Sequence, residues 1–321
     1  ESIRACLFDA ETGSVLGMCA HPYGTQFPRP GHAEQRPEDW WSSLAVAVRG
    51  AIEATGSDEE QILKSIVAMS VDSTSCTVVA LDEKNEPIRP ALLWMDQRAA
   101  EKTALIMERS KGDEEAMEWL QVNCGGQGPI SAEWMLPKSL WLKEEEPDTW
   151  AKATTVCEAQ DYLNLKLTNK LCASSCNAAS RWHWNGEDAT NPFSFYSGRP
   201  TPLLERVGLG DLAGKWPQQC LSMGMLVGEL SREAARHLGL LEGTPVAQGG
   251  PDAFVGMLGL GCVNPGQLAL ITGSSHLHLA VSSNDATSNG IWGAYKGAPL
   301  PGMCFAEGGQ SSTGSMLRWC K

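Results

Sequence analysis

The stretch GTPVAQGGPDAFVGMLGLG (243–261) contains the strongest indication of the fold. Residues 245–247 read as a short strand, 249–251 (Gly-Gly-Pro) as a sharp turn, and the run from Asp252 as an apolar helix. A strand that passes through a glycine turn into a helix is typical of α/β sheets, in which ligands lie beyond the carboxyl ends of the strands. Asp252 stands at that junction, so it is either a ligand-facing carboxylate or only the N-cap of the helix.

Strands and helices are mixed along the rest of the chain, which predicts an α/β sheet covered by helices. Apolar residues recur at helical spacing over residues 37–54, and Pro37 stands at the entry of that helix. The same reasoning predicts the following elements: strands at 3–8, from Val15, at 66–71 and 77–81, helices at 138–145, 158–167 and 231–239, a loop at 185–200, and a hairpin of 267–271 with 277–281.

Composition limits the classes of partner. The 321 residues suggest about two domains, since a typical domain has about 150 residues. With 25 Lys+Arg against 38 Asp+Glu the formal charge is −13, and no basic stripe is present, so nucleic acid and anionic membranes are not expected as partners. No apolar run reaches the roughly 18 residues of a membrane span. An anionic nucleotide is not excluded, because it needs only a local group of backbone N–H donors.

Cysteine usage indicates a reducing compartment. The 11 cysteines are scattered, mostly in apolar runs, and no CxxC pair occurs, so buried thiols are favoured over a zinc or disulfide framework. We therefore expect a cytoplasmic protein, with an organelle stroma as the alternative. His276 and His278 alternate on one predicted strand as metal ligands do, but no third ligand is at hand.

Common nucleotide motifs fail on inspection. Asn264 stands where GxGxxG would need its third glycine, and Trp216 follows Gly214-Lys215 where a P-loop needs Ser or Thr. A Rossmann or P-loop protein is therefore not expected.

Other polar segments lie beside predicted apolar strands, where polar side chains indicate either a structural or a binding role. VDSTSCT (71–77) lies between two apolar strands and is either a structural turn or a binding loop. LLWMDQRA (92–99) places Asp96 and Arg98 directly after a predicted strand, where they form either a structural ion pair or part of a binding segment. ITGSSH (271–276) and AEGGQSSTGS (306–315) offer the N–H and hydroxyl donors that phosphate requires.

In this order the clusters resemble the FGGY family of carbohydrate kinases, and specifically its pentulose-kinase (ribulokinase-like) branch. The resemblance also includes SIRACLFD (2–9), EWMLPKSLWLKEEEP (133–147) and CEAQDYLNLKLT (157–168), so it covers essentially the whole chain. It implies an α/β, actin/hexokinase-like (ribonuclease H-like) two-domain fold with an interdomain cleft. Residues 1–243 would form the sugar-binding domain without its first strand, and 244–321 the start of a truncated ATP-binding domain. Family members carry a D-x-G-T segment just before the point where this sequence begins.

The resemblance also implies roles for individual residues. Asp252 matches the catalytic base, which would take the proton of the terminal sugar hydroxyl as that oxygen attacks the γ-phosphate of ATP. Arg181 stands where related members often carry Lys facing the sugar. The implied sugar-binding residues are Ser75, Trp94, Asp96, Arg98, Arg181 and Glu307. The implied phosphate-binding residues are Thr272, Gly273, Ser274, Gly308 and Gly309, with ATP and Mg²⁺ as cofactors.

The sequence thus predicts an ATP-dependent pentulose kinase, with ribulose favoured over xylulose, glycerol or a tetritol. The expected partners are a small sugar and ATP, and a homodimer is compatible with the sequence. One alternative is a catalytically silent member of the fold that binds a sugar or a partner. Another is a metal-dependent hydrolase that uses His276, His278 and Asp252, which would need bound zinc.

Overall fold

The computed structural model describes residues 1–124, 130–186, 191–273, 275–285, 288, 290–310 and 312–320. It opens with the predicted antiparallel hairpin of β1 (Ser2–Phe8) and β2 (Val15–Pro22). The long helix α1 (Pro37–Glu53) packs closely on this hairpin. A Cβ at Gly17 would lie 2.2 Å from the Ala51 carbonyl oxygen, so only glycine allows the strand to approach the helix this closely.

Three small sheets follow. In the first, β3 (Glu34–Gln35), β6 (Ala91–Leu92), β5 (Val78–Leu81) and β7 (Thr155–Glu158) lie in that order, all antiparallel. The second has the order β10 (Leu226–Glu229), β11 (Pro245–Ala247), β4 (Met69–Ser70), and β11 is parallel to β4. The third pairs β8 (Ala173–Ser174) with β9 (Cys220–Leu221) in parallel.

Helices cover these sheets. Beyond α1 they are α2 (Glu59–Ser65), α3 (Ala100–Ser110), α4 (Glu114–Gln121), α5 (Met135–Glu145), α6 (Pro147–Lys152), α7 (Ala159–Thr168), α8 (Ser175–Arg181), α9 (Ser194–Ser197), α10 (Thr201–Val207), α11 (Leu212–Lys215), α12 (Arg232–Leu238), α13 (Asp252–Gly259) and α14 (Gly314–Trp319). In the described residues no helix combines the length and the apolar character that crossing a membrane requires.

The last part of the chain forms its own antiparallel sheet, in the order β12 (Leu268–Thr272), β13 (His276–Ser282), β15 (Cys304–Gln310), β14 (Trp292–Lys296). Apolar side chains of this sheet, among them Leu279 and Phe305, belong to the same buried cluster as Trp182 and Trp216 of the earlier helical region. The β12–β15 sheet is therefore packed against the rest of the protein, and the residues between them enclose the cavity described below.

Most predicted elements are present, with two differences. Only Met69–Ser70 of the predicted strand 66–71 is a strand, because just these two residues pair with β11, at Val246 and Ala247. The predicted loop 185–200 contains the one-turn helix α9. β11, which follows residue 243, hydrogen-bonds to β4 and β10; the division of the chain into two domains after residue 243 stays a prediction.

Candidate active site

A cavity of about 220 Å³ lies where the β12–β15 sheet meets the helical part of the chain. Six of the residues predicted from the sequence line it: Ser75, Trp94, Arg181, Asp252, Glu307 and Gly309. The other lining residues are Thr74, Cys76, Glu133, Trp134, Pro251, Ala253, Phe254, Ser275, Leu277, Leu279, Trp292 and Gln310. Polar and charged groups are thus gathered beside indole rings, which is a surface suited to a small polyhydroxylated molecule.

Asp252 is the first residue of α13, at the end of the glycine turn. The Asp252 N–H donates to the Ser73 carbonyl at 2.8 Å, which fixes the turn against the 71–77 segment. A Cβ at Gly249 would lie 2.0 Å from the Val71 carbonyl oxygen, so this approach requires glycine. Pro251 occupies the N-cap position of α13. The Asp252 carboxylate accepts a hydrogen bond from the N–H of the adjacent Ala253 at 2.7 Å. The N-cap interpretation of Asp252 is therefore wrong.

The carboxylate of Asp252 remains solvent-exposed at the cavity. The protein atoms crowded around it raise its pKa above the ordinary 3.8; the Ala253 N–H opposes this rise and the nearby negative charge of Asp72 adds to it. A carboxylate with a raised pKa is a stronger base when ionised, and this suits a group that accepts a proton.

Arg181 and Glu307 form a buried ion pair in the cavity wall. The Arg181 Nη2 donates to both carboxylate oxygens of Glu307, at 3.0 and 2.7 Å, and its Nη1 donates to the Tyr295 hydroxyl at 2.9 Å. That hydroxyl donates in turn to Glu307 at 3.1 Å. Burial lowers the pKa of Arg181, but the negative charge of Glu307 outweighs this effect and raises that pKa well above its ordinary value, so the guanidinium stays protonated. The two residues are thus placed together, although 126 positions separate them in sequence.

Asp96 and Arg98 lie outside the cavity lining, unlike Trp94 before them. Asp96 is fully buried, accepts the Ala33 N–H at 2.6 Å and pairs with Arg98 at 2.8 Å. Arg98 also pairs with Glu34 at 2.8 Å and lies over the ring of Trp141. Because the two charges are paired with each other, the structure shows the structural ion pair that the sequence left open, while the role of Asp96 and Arg98 in sugar binding stays a prediction.

The β12–β13 hairpin reaches the cavity with Ser275 but not with Thr272 or Gly273, while Ser274 lies outside the described residues. A Cβ added at Gly273 would meet nothing closer than 3.9 Å, and one at Gly308 nothing within 4 Å, so both backbones border open space. The predicted phosphate group would lie next to these backbones. The Gly273 N–H, however, donates to the Ser275 carbonyl at 2.9 Å and would have to exchange that partner to bind one.

Among the lining residues to which the sequence assigned no role, Glu133, Trp134 and Trp292 supply an acidic group and two indole rings. Burial raises the pKa of Glu133, and the Gln97 amide donates to its carboxylate at 3.1 Å. The rings of Trp134 and Trp292 meet edge to face at 5.5 Å. The available signal was the pair Glu133-Trp134, an acid and an indole directly before α5, whose first three residues are apolar.

Within the part of the chain that the structure describes, the histidines form no metal site with other side chains. Among the described residues no group of three or more His, Cys, Asp or Glu side chains is arranged to hold a metal ion. His276 and His278 lie on β13. The zinc-hydrolase alternative thus receives no structural support within the described ranges.

A cleft of this composition, between an α/β region and a second sheet, suits a small polar ligand. Residues 1–187 match the FGGY family of carbohydrate kinases, N-terminal domain. The chain therefore belongs to the FGGY family of carbohydrate kinases, as the sequence predicted.

Individual relatives agree with this family assignment. The chain is 31% identical to the FGGY carbohydrate kinase domain-containing protein of Homo sapiens and 28% identical to a ribulokinase of Anoxybacillus flavithermus. It aligns over 98% and 99% of its own length and spans 58% of each relative. A xylulose kinase structure from Rhodospirillum rubrum superposes with a TM-score of 0.80 at 23% identity, over 99% of this chain and 61% of that one. This likeness confirms the actin/hexokinase-like fold.

Proposed function

We propose that the protein transfers the γ-phosphate of ATP to the terminal hydroxyl of a pentulose, with ribulose as the favoured sugar. The observation that supports this most directly is one cavity whose lining contains an exposed carboxylate, Asp252, together with the polar pair of Arg181 and Glu307. Residues 1–243 would supply most of the sugar contacts and residues 244–321 the base and the first phosphate contacts. The ribulokinase name of one relative adds support for the choice of sugar.

Asp252 acts as the general base in this proposal. It accepts the proton of the terminal hydroxyl while that oxygen forms its bond to the γ-phosphorus and the bond from phosphorus to the β-bridging oxygen breaks, releasing ADP. Phosphoryl transfer depends chiefly on positioning and charge neutralisation, so the base needs a fixed backbone more than an unusual environment. The Ser73 hydrogen bond and the glycine turn give Asp252 that fixed backbone.

The remaining lining residues bind and orient the sugar. Arg181 supplies donors and Glu307 and Glu133 supply acceptors for hydroxyl groups, and the Ser75 hydroxyl does both. Indole faces at Trp94, Trp134 and Trp292 would cover the C–H faces of the sugar and exclude water. Asp96 and Arg98 support this site only through the segment that carries Trp94.

ATP would approach from the β12–β13 and β15 side, where a Cβ at Gly273 or Gly308 would meet nothing closer than 3.9 Å; Thr272 and Gly309 are the other proposed phosphate contacts. Ser274 stays a prediction. Mg²⁺ bound with the nucleotide would neutralise the phosphate charge that develops during transfer.

The test is ADP release, measured by a coupled assay, from the complete gene product that contains these residues. The acceptors are D- and L-ribulose, xylulose, glycerol and a tetritol. We expect turnover with ribulose, and Asp252→Asn should reduce kcat by about 10²- to 10⁴-fold, the usual contribution of a general base. Asp58→Asn is the matched control, because Asp58 caps the exposed helix α2 by accepting the Gln61 N–H at 2.9 Å and asparagine caps equally well.

Two results would count against the proposal. Turnover of Asp252→Asn within tenfold of the parent protein would remove Asp252 as the base. An absence of turnover with every acceptor, while ribulose still raised the melting temperature, would identify a sugar-binding protein instead of a kinase.

A further inference from the structure

A lysine lies inside the protein directly behind the cavity. Lys138 is fully buried in α5, and its ammonium donates to the carbonyl oxygens of Cys76 at 2.6 Å and Leu93 at 2.5 Å. Cys76 lines the cavity, and Leu93 precedes Trp94, which also lines it. The helix that carries Lys138 follows Glu133 and Trp134, two further lining residues. One ammonium group thus joins three segments of the cavity wall.

The buried carboxylate of Glu158 also binds this part of the cavity wall. The Thr77 N–H donates to Glu158 Oε2 at 2.9 Å, and the Trp182 indole N–H donates to Glu158 Oε1 at 3.0 Å. Glu158 is fully buried, and Trp182 follows Arg181 of the cavity. Burial raises the pKa of Glu158 to about 7, and the Trp182 indole N–H and the Lys138 charge oppose this rise.

The turn between these two anchors has an unfavourable backbone conformation. Cys76 has φ 65°, in the left-handed region that non-glycine residues seldom adopt. Such a conformation persists only where surrounding contacts hold it. The carbonyl of Cys76 is held by Lys138 and the next N–H, that of Thr77, by Glu158, so these bonds act on both sides of the strained residue.

We propose that Lys138 and Glu158 are positioning residues that hold the 74–77 turn and the 93–94 segment in the geometry the sugar requires. The inference rests on the proposed sugar-kinase function for its kinetic consequence, but its structural consequence is independent of that function. Neither side chain touches the sugar, since both act through the backbone of Cys76, Thr77 and Leu93.

The chain offers a matched control for this role. Lys215 also donates to two backbone carbonyls, those of Trp150 and Ala153, but at a place remote from the cavity lining. Lys215→Met therefore removes the same kind of interaction as Lys138→Met. Because Lys138 is fully buried and Lys215 only partly buried, the comparison uses sugar binding, which a positioning lysine would change only at position 138.

The experiment compares Lys138→Met, Glu158→Gln and Lys215→Met in the complete gene product. Amide hydrogen exchange without any ligand should be about tenfold or more faster over residues 74–77 in the first two variants, the loss expected from one charge-assisted hydrogen bond. Glu158→Gln has one oxygen for two donors and serves if Lys138→Met does not fold. Lys215→Met should leave exchange at 74–77 unchanged.

Kinetics with ribulose then separate positioning from stability. We expect the KM for ribulose to rise about tenfold in Lys138→Met and Glu158→Gln, with the KM for ATP within about twofold of the parent value. Unchanged exchange at 74–77, or a ribulose KM within twofold of the parent in both variants, would overturn the inference. If the parent phosphorylates no acceptor, the proposed function fails, and the exchange result alone decides the positioning role.

Discussion

Removing both charges of the Arg181–Glu307 pair should destabilise the protein no more than removing one. Arg181 contacts both carboxylate oxygens of Glu307, at 3.0 and 2.7 Å, and their side chains are only 9% and 1% exposed. In Glu307→Gln the guanidinium keeps its charge without a counter-ion. In Arg181→Met the carboxylate keeps its charge, with only the Tyr295 hydroxyl as a donor.

The magnitude follows from the burial of the pair. Breaking a buried ion pair by removing one partner costs about 3–5 kcal/mol, because an uncompensated charge stays in a poorly solvated site. Replacing both partners by neutral side chains is often close to neutral, so the double variant Arg181→Met with Glu307→Gln should lose no more than either single variant. The coupling free energy of the cycle should therefore reach about 3 kcal/mol.

Urea unfolding followed by tryptophan fluorescence measures each free energy of unfolding in the complete gene product. The control cycle uses Lys64 and Glu60, an exposed pair at 2.5 Å on α2, for which screening limits the coupling to less than about 0.5 kcal/mol. A coupling below about 1 kcal/mol at Arg181 and Glu307 would show that water reaches the pair through the cavity, and would refute the argument from burial.

Three further predictions concern the turn, the base and a buried thiol. Gly249→Ala should destabilise the protein by several kcal/mol in urea unfolding, because the new Cβ would lie 2.0 Å from the Val71 carbonyl; Gly214→Ala, with nothing within 4 Å, should not, and equal effects would contradict the packing reason. The acid limb of kcat/KM for ribulose should have an apparent pKa above 3.8, since Asp252 must be ionised to accept a proton and its pKa is raised; a limb at or below 3.8 would exclude this assignment. Cys76 should resist thiol reagents in the native state, because burial raises its pKa; mass spectrometry that finds it modified before unfolding would contradict this.

Local sequence signals predicted the elements that local physics determines. Helix α1 begins at Pro37 as expected, and β11 covers the predicted residues 245–247. The capping of α12 by the Ser231 hydroxyl was also readable from the sequence. The strand 66–71 was predicted too long, because its length depends on how many residues of β11 pair with it, and this is a property of a partner about 180 residues away.

The candidate site was predictable only as a set of separate segments. The sequence located Ser75, Asp252 and Glu307 in three different loops or strands, and the fold brings them to one cavity. The sequence did not distinguish Trp94, which lines the cavity, from Asp96, whose buried side chain forms an ion pair with Arg98. Such a distinction depends on where each side chain points, and a two-residue interval on an irregular segment does not determine it.

Lys138 is a charged residue in a mainly apolar part of α5. The run Met135–Leu142 is apolar except for Lys138 and Ser139, and a charged residue in such a run is costly to bury without partners. The sequence therefore implied either an exposed helix face or a buried lysine with fixed acceptors. The structure shows the second case, with two backbone carbonyls as acceptors. Because those carbonyls belong to the cavity wall, the cost of burying the charge is offset at the place where precise backbone geometry matters for binding.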